Sequence, residues 1–199
     1  MKMPEDLFCE VCSERSGINP ATLREIISLA VEIAREGREG RRIGTIFVVS
    51  DAAEVLKRSR SLILDPLYGH PDEVKHIADP DMRETVKELA QLDGAFIVSN
   101  EGIVLSACRY LDAFSEGLKI TLGLGSRHMA AASITKQTRS VAVVVSESSV
   151  VRIIEDGQIV SEIIPELWMF KRYSSHLGKL KEGKKEKVEQ EIILSPVED

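Results

Sequence analysis

The chain has 199 residues, 43% hydrophobic and 29% charged, with a net charge of -6. This is enough for one domain with extensions, and it excludes wholesale disorder; three cysteines are too few for a disulfide-built scaffold. A surplus of acid disfavours a sequence-independent grip on DNA or RNA, and no apolar run reaches the ~18 residues that span a bilayer. The expectation is a cytoplasmic protein with reduced thiols, no nucleic-acid partner and no membrane partner.

Residues 1–18 show no clear period, and residues 1–20 are read as an N-terminal extension. Asn19-Pro20 is a helix start, with Asn as cap and Pro at the first helical position. Leu23, Ile26, Ile27, Ala30, Val31 and Ala34 then form one apolar stripe, so a helix runs to about Gly37. The run ending Ile46-Phe47-Val48-Val49 predicts a buried strand. Asp51 is placed as the cap of a short helix through Arg58. Residues 59–79, punctuated by Pro66, Gly69 and Pro71, are expected to be an irregular connection.

Asp79-Pro80 repeats the cap-plus-proline signal before a helix over 82–92. Residues 95–99 and 103–107 form a predicted hairpin about Asn100-Glu101-Gly102. A glycine-rich stretch over 117–126 leads into an alanine-rich helix over 129–137. Residues 141–145 predict a buried strand, and 150–154 with 159–164 a second hairpin about Asp156-Gly157. Residues 166–199 are Lys- and Glu-rich and read as a peripheral helix and charged tail. Helices alternating with strands, interrupted by two hairpins, predict an α/β domain over 21–165. Its centre is a twisted mixed parallel/antiparallel sheet flanked by helices.

Three stretches carry chemistry. The first is Gly123-Leu124-Gly125-Ser126-Arg127-His128 at the start of a helix. Glycines turn backbone N–H groups toward an anion, and the helix N-terminus adds free donors. Ser126 adds a hydroxyl, Arg127 a planar fork and His128 a donor, which together describe a phosphate site. It is neither a G-x-G-x-x-G fingerprint nor a Walker A loop. The second stretch is Asp93-Gly94-Ala95, a carboxylate beside two small residues, where a ligand can approach the backbone next to a metal-binding oxygen. Third comes Glu147, just past the strand over 141–145, a second acid near a strand's carboxyl end. Other candidates are weaker. Cys9 and Cys12 have metal spacing but no second pair. Cys108 reads as apolar filler, and His70, His76 and His176 as surface residues.

The pairing and order of Asp93-Gly94-Ala95, Gly125-Ser126-Arg127-His128 and Ser146-Glu147 closely resemble the diadenylate cyclase (DAC) domain, in a form like its archaeal branch. The family's signatures are Asp-Gly-Ala and Arg-His-Arg, the latter preceded by Gly-Thr or Gly-Ser. The likeness extends from about Leu23 to Ile164. It departs at Met129, where the family has its second Arg.

The resemblance implies condensation of two ATP into cyclic di-AMP with release of two pyrophosphates. It implies a homo-oligomer in which two protomers face each other. Asp93 would hold Mn2+ or Mg2+, and Glu147 would be the second metal-linked acid. Gly94 and Ala95 would leave room for the ribose, and Tyr110 or Leu111 would border the adenine. Gly125, Ser126, Arg127 and His128 would hold the outer phosphates, Arg127 and His128 counting with Asp93 as catalytic. Two other functions fit the same residues: a silent sensor of ATP or cyclic di-AMP, which Met129 favours, and transfer of AMP to another acceptor.

Overall fold

The computed structural model describes residues 17–112 and 124–169. Most of the predicted N-terminal extension, Cys9, Cys12, His176, most of the glycine-rich stretch and the tail beyond 169 lie outside the described residues.

Helix α1 is Pro20–Glu36. The Asn19 side chain accepts from the Ala21 N–H, and Gly37 closes the far end with its N–H on the Ile33 carbonyl. Its apolar stripe is buried from Leu23 to Ala34. Strand β1 (Thr45–Val49) is buried throughout, as its β-branched run requires. A short helix α2 (Ala52–Lys57) follows. Asp51 precedes it in a left-handed conformation, but its side chain makes no cap. Instead Asp51 Oδ2 accepts from the Arg139 N–H at 2.9 Å, so this carboxylate ties two loops together and corrects the capping role.

The segment 59–79 is more regular than its punctuation suggests. It contains strand β2 (Ser59–Ser61) and a 3-10 turn over Asp72–Val74. Strand β2 carries no apolar pattern. Pairing with the next-to-edge strand forms it, with Arg60 opposite Tyr110. Asp65 fastens the loop that follows, accepting from the Ser106 hydroxyl and the Ala107 N–H.

Helix α3 is Pro80–Leu89, capped by Asp79 on the N–H groups of Asp81 and Met82. Strands β3 (Ala95–Val98) and β4 (Val104–Leu111) form the first hairpin. Strand β4 runs farther than the apolar pattern indicates, so Tyr110 and Leu111 are strand residues. Helix α4 is Ser126–Gln137, and its first turn already includes Arg127 and His128. Strands β5 (Val141–Val145), β6 (Val151–Glu155) and β7 (Gln158–Ile163) form a meander.

These strands make one seven-stranded sheet in the order β2-β4-β3-β1-β5-β6-β7. Only the β1–β3 pair is parallel; every other pair is antiparallel. Helix α1 packs across β5 and β6, while α4 packs over β1, β4, β5 and β6. Ile46, Val48, Ala95, Ile97, Leu111, Ala131, Ile134, Ala142 and Val144 share one cluster, so they mark the sheet face that α4 covers. On adjacent strands, Phe47 and Phe96 stack at 5.1 Å. Each such fully buried side chain contributes about 1.5–3 kcal/mol.

The register gathers several strand ends at one edge of the sheet. Thr45 lies opposite Val145, Ile46 opposite Ala95, and Ala95 opposite Arg109. The beginnings of β1 and β3 and the ends of β4 and β5 therefore lie together. Ligands in doubly wound sheets gather beyond the carboxyl ends of parallel strands. Here the parallel strands offer their amino ends, and the carboxyl ends at this edge belong to antiparallel strands, β4, β5 and β7.

Candidate active site

Asp93, the first turn of α4 and Glu147 meet at this edge. Arg127 joins them: Nη1 lies 2.8 Å from Glu147 Oε1, and Nη2 lies 3.3 Å from Asp93 Oδ1. Both acids are largely exposed, at 78% for Asp93 and 67% for Glu147, so they face solvent at a site that a ligand can enter. Two carboxylates reached by one guanidinium have their oxygens within a few ångströms of a common point. Oxygen donors in that number suit a hard divalent cation that completes its shell with water and phosphate oxygens. Among the described residues no group of three His, Cys, Asp or Glu could hold an ion unaided.

The backbone beneath Arg127 belongs to Gly44, immediately before β1. A Cβ there would stand 2.6 Å from Arg127 Nη1, so glycine gives the guanidinium its seat. The sequence offered a signal for this residue, a lone Gly at the mouth of a β-branched run, but no indication of what would lie on it.

Gly125 is the N-cap of α4 and supplies no side-chain cap. Among the described residues no backbone carbonyl accepts from the N–H groups of Ser126 and Arg127, donors of the kind a helix N-terminus offers to an anion. Ser126 and Gly125 are exposed there.

His128 departs from its neighbours. It is only 5% exposed and points inward. Its Nε2 is 3.2 Å from Arg152 Nη1, and Arg152 Nε donates to Glu162 Oε1 at 2.6 Å. Burial pushes the imidazole below its ordinary pKa, and the Arg152 and Arg127 guanidiniums push the same way against Glu162. Arg152 and Glu162 were not legible as site residues. A charged residue inside the otherwise apolar Val151-Arg152-Ile153-Ile154 run was the available signal.

Gly94 has φ of +111°, and a Cβ there would stand 2.6 Å from the Cys108 carbonyl carbon. Glycine is required for this close passage of β3 over β4, where Cys108 itself takes φ +54°. Burial pushes the Cys108 thiol up, with Asp65 adding to it. The Ala95 methyl is wholly buried in the α4-side cluster. Tyr110 and Leu111 lie on opposite faces of β4. Leu111 belongs to the same cluster, whereas Tyr110 is 43% exposed with the Arg60 guanidinium 4.5 Å from its ring centroid.

A family model described as DisA bacterial checkpoint controller nucleotide-binding, abbreviated DAC, matches residues 32–159. A diadenylate cyclase of Methanocaldococcus jannaschii is 50% identical over 145 residues, covering 72% of this chain and 46% of that protein. A diadenylate cyclase of Haloferax volcanii is 39% identical over 166 residues, covering 82% of this chain and 58% of that protein. The chain thus spans about half the length of these relatives. A solved Bacillus cereus structure, described as a hypothetical membrane-spanning protein, superposes with a TM-score of 0.53 at 19% identity. It covers 69% of this chain and 61% of its own, a likeness of fold. In the present chain no helix among the described residues is long and apolar enough to cross a membrane.

Proposed function

The chain belongs to the DAC family, and from that membership we propose that it is a diadenylate cyclase, joining two ATP molecules into cyclic di-AMP. The observation that carries this reading is Arg127 bridging Asp93 and Glu147 at the open end of α4. In each half of the reaction the 3′-oxygen of one ATP bonds to the α-phosphorus of the other. The bond from that phosphorus to the oxygen leading to the β-phosphorus breaks, pyrophosphate leaves, and the 3′-hydroxyl gives up its proton. Such phosphoryl transfer asks for alignment and charge neutralisation rather than covalent help.

The residues divide this work. The Ser126 hydroxyl, the free N–H groups of the first turn and the Arg127 fork hold the outer phosphates, which become the leaving group. Asp93 and Glu147 hold the divalent cation. Bound there, Mn2+ or Mg2+ would neutralise phosphate charge and ease loss of the 3′-proton. The ribose lies against the backbone at Gly94 and Ala95, since neither residue offers a side chain to it. Tyr110, rather than the buried Leu111, borders the adenine. One protomer offers one nucleotide, so two protomers face each other and the enzyme works as a homo-oligomer.

Met129 supports a second reading, a silent sensor of ATP or cyclic di-AMP, because it leaves the phosphates one cation short of the family pattern. One experiment separates the two. The protein is incubated with ATP and Mn2+ or Mg2+, and cyclic di-AMP is sought by chromatography and mass. Product that needs metal and vanishes with Asp93→Asn supports the cyclase. ATP binding without product under either metal supports the sensor.

A further inference from the structure

The buried histidine carries an inference of its own. Arg152 stands on β6 opposite Val144 of β5 and Glu162 of β7, on the sheet face covered by α4. Its side chain is only 14% exposed, and Glu162 fixes its Nε at 2.6 Å. A guanidinium has donors only, so the His128 nitrogen 3.2 Å from Arg152 Nη1 must accept. That contact is incompatible with an imidazolium and with a hydrogen on Nε2. The remaining hydrogen belongs on Nδ1, which is buried and has no partner among the described residues. A buried donor without an acceptor is an unmet demand, of a kind that a ligand oxygen meets.

The geometry points to Arg152, held by Glu162, as a positioning residue that fixes His128 as the neutral tautomer bearing its hydrogen on Nδ1. His128 then meets a phosphate oxygen as an uncharged donor and does not serve as an acid. The charged groups acting on the ring are Arg152 from β6, Arg127 from its own helix and Glu162 from β7. Burial and both arginines disfavour the imidazolium, in agreement with the hydrogen-bond argument. The part played by His128 toward phosphate rests on the cyclase reading; its tautomer does not.

Imidazole nitrogen NMR on the full chain tests the tautomer without nucleotide, with the His128 signals assigned by their loss in His128→Gln. The expected result is a protonated Nδ1 and a bare Nε2, unchanged from pH 8 to 5.5. Arg152→Gln keeps a donor but removes the charge, and His128 should then begin to titrate within that range. Arg152→Lys, which keeps the charge, should hold it neutral. In turnover, Arg152→Gln should raise the KM for ATP on the order of tenfold, with a smaller change in kcat. A hydrogen on Nε2, or ordinary titration of His128 in the unsubstituted protein, overturns the inference. Because the spectra need no activity, a failed cyclase assay and a wrong tautomer are told apart.

Discussion

Gly44 and Arg127 are in contact across the sheet edge, and the absence of a side chain on one permits the placement of the other. The guanidinium that reaches both acids does so by lying where a Gly44 Cβ would be. A methyl at this position meets the far end of a flexible side chain, not backbone, and Gly44 has no positive φ. Gly44→Ala is therefore expected to leave the melting temperature within about 2 °C, the range of mild substitutions. ATP affinity should fall on the order of tenfold as the fork is displaced. Calorimetry together with nucleotide titration checks both halves. A large loss of stability with intact affinity would deny Gly44 this role.

Gly94→Ala is the contrasting case. The methyl would meet Cys108 backbone at 2.6 Å, and φ of +111° is strained for any L side chain. Nothing there is a flexible tip that can swing away. A loss of about 2–4 kcal/mol is expected, with activity falling because the fold does. Denaturant unfolding measures it. Unchanged stability would return Gly94 to a purely ligand-facing role.

If Asp93 and Glu147 hold the cation as proposed, Arg127 competes with it for both acids. Arg127→Ala should weaken ATP binding on the order of tenfold while strengthening Mn2+ binding in the absence of nucleotide, since Asp93 and Glu147 lose their shared counter-ion. Calorimetric titration of metal alone and of ATP alone separates the two effects. Parallel weakening of both would mean that Arg127 shapes the site rather than balancing its charge.

Much of this arrangement was legible in the sequence because local chemistry wrote it. Asn19-Pro20 and Asp79-Pro80 began helices as their cap signals required, and Val141 to Val145 formed the predicted buried strand. The strand β2 was not legible, since Ser59-Arg60-Ser61 has no preference of its own and takes its form from β4. The inward turn of His128 was equally hidden. The sequence pattern started the helix at 129, whereas α4 begins at Ser126, which puts His128 one turn ahead of Ala131 and Ala132 on the buried face and leaves Ser126 and Arg127 off it. Tyr110 and Leu111, adjacent in sequence, were separated by the pleat of a strand longer than its apolar pattern.

Helices α1 and α3 are joined by a charge network that sets an acid limit on stability. Glu32 accepts from Arg83 at 2.7 Å and lies 3.1 Å from Lys87. Burial pushes the Glu32 carboxyl up, but Lys87 and Arg83 together outweigh it and hold the pKa below the ordinary value. A depressed folded-state pKa gives stability that is present above the unfolded value near 4.5 and lost as pH falls through the folded one. Melting temperature should therefore decline below about pH 5, and Glu32→Gln should flatten part of that decline. At pH 7 the same substitution should cost about 1 kcal/mol, because Arg83 and Lys87 keep Glu25, Glu36 and Glu84 as partners. Equal pH slopes in both proteins would place the acid sensitivity elsewhere.

The proposed two-protomer reaction makes a claim about concentration. In that proposal each α4 N-terminus serves one triphosphate, and each 3′-oxygen attacks an α-phosphorus held by another copy of Asp93, Arg127 and Glu147. If the face-to-face pair is weak, the rate per protomer should fall on dilution below its dissociation constant, toward a tenfold loss for each tenfold dilution. A mixture of Asp93→Asn and Arg127→Ala protomers adds a second readout. When each mixed pair has one damaged metal site and one damaged phosphate site, neither half-reaction has an intact centre, so mixing should not restore activity. Turnover assays from nanomolar to micromolar protein, with sedimentation at the same concentrations, relate rate to association. A rate per protomer that stays constant while sedimentation shows pairs separating would exclude the shared reaction and require both linkages to be made on one chain.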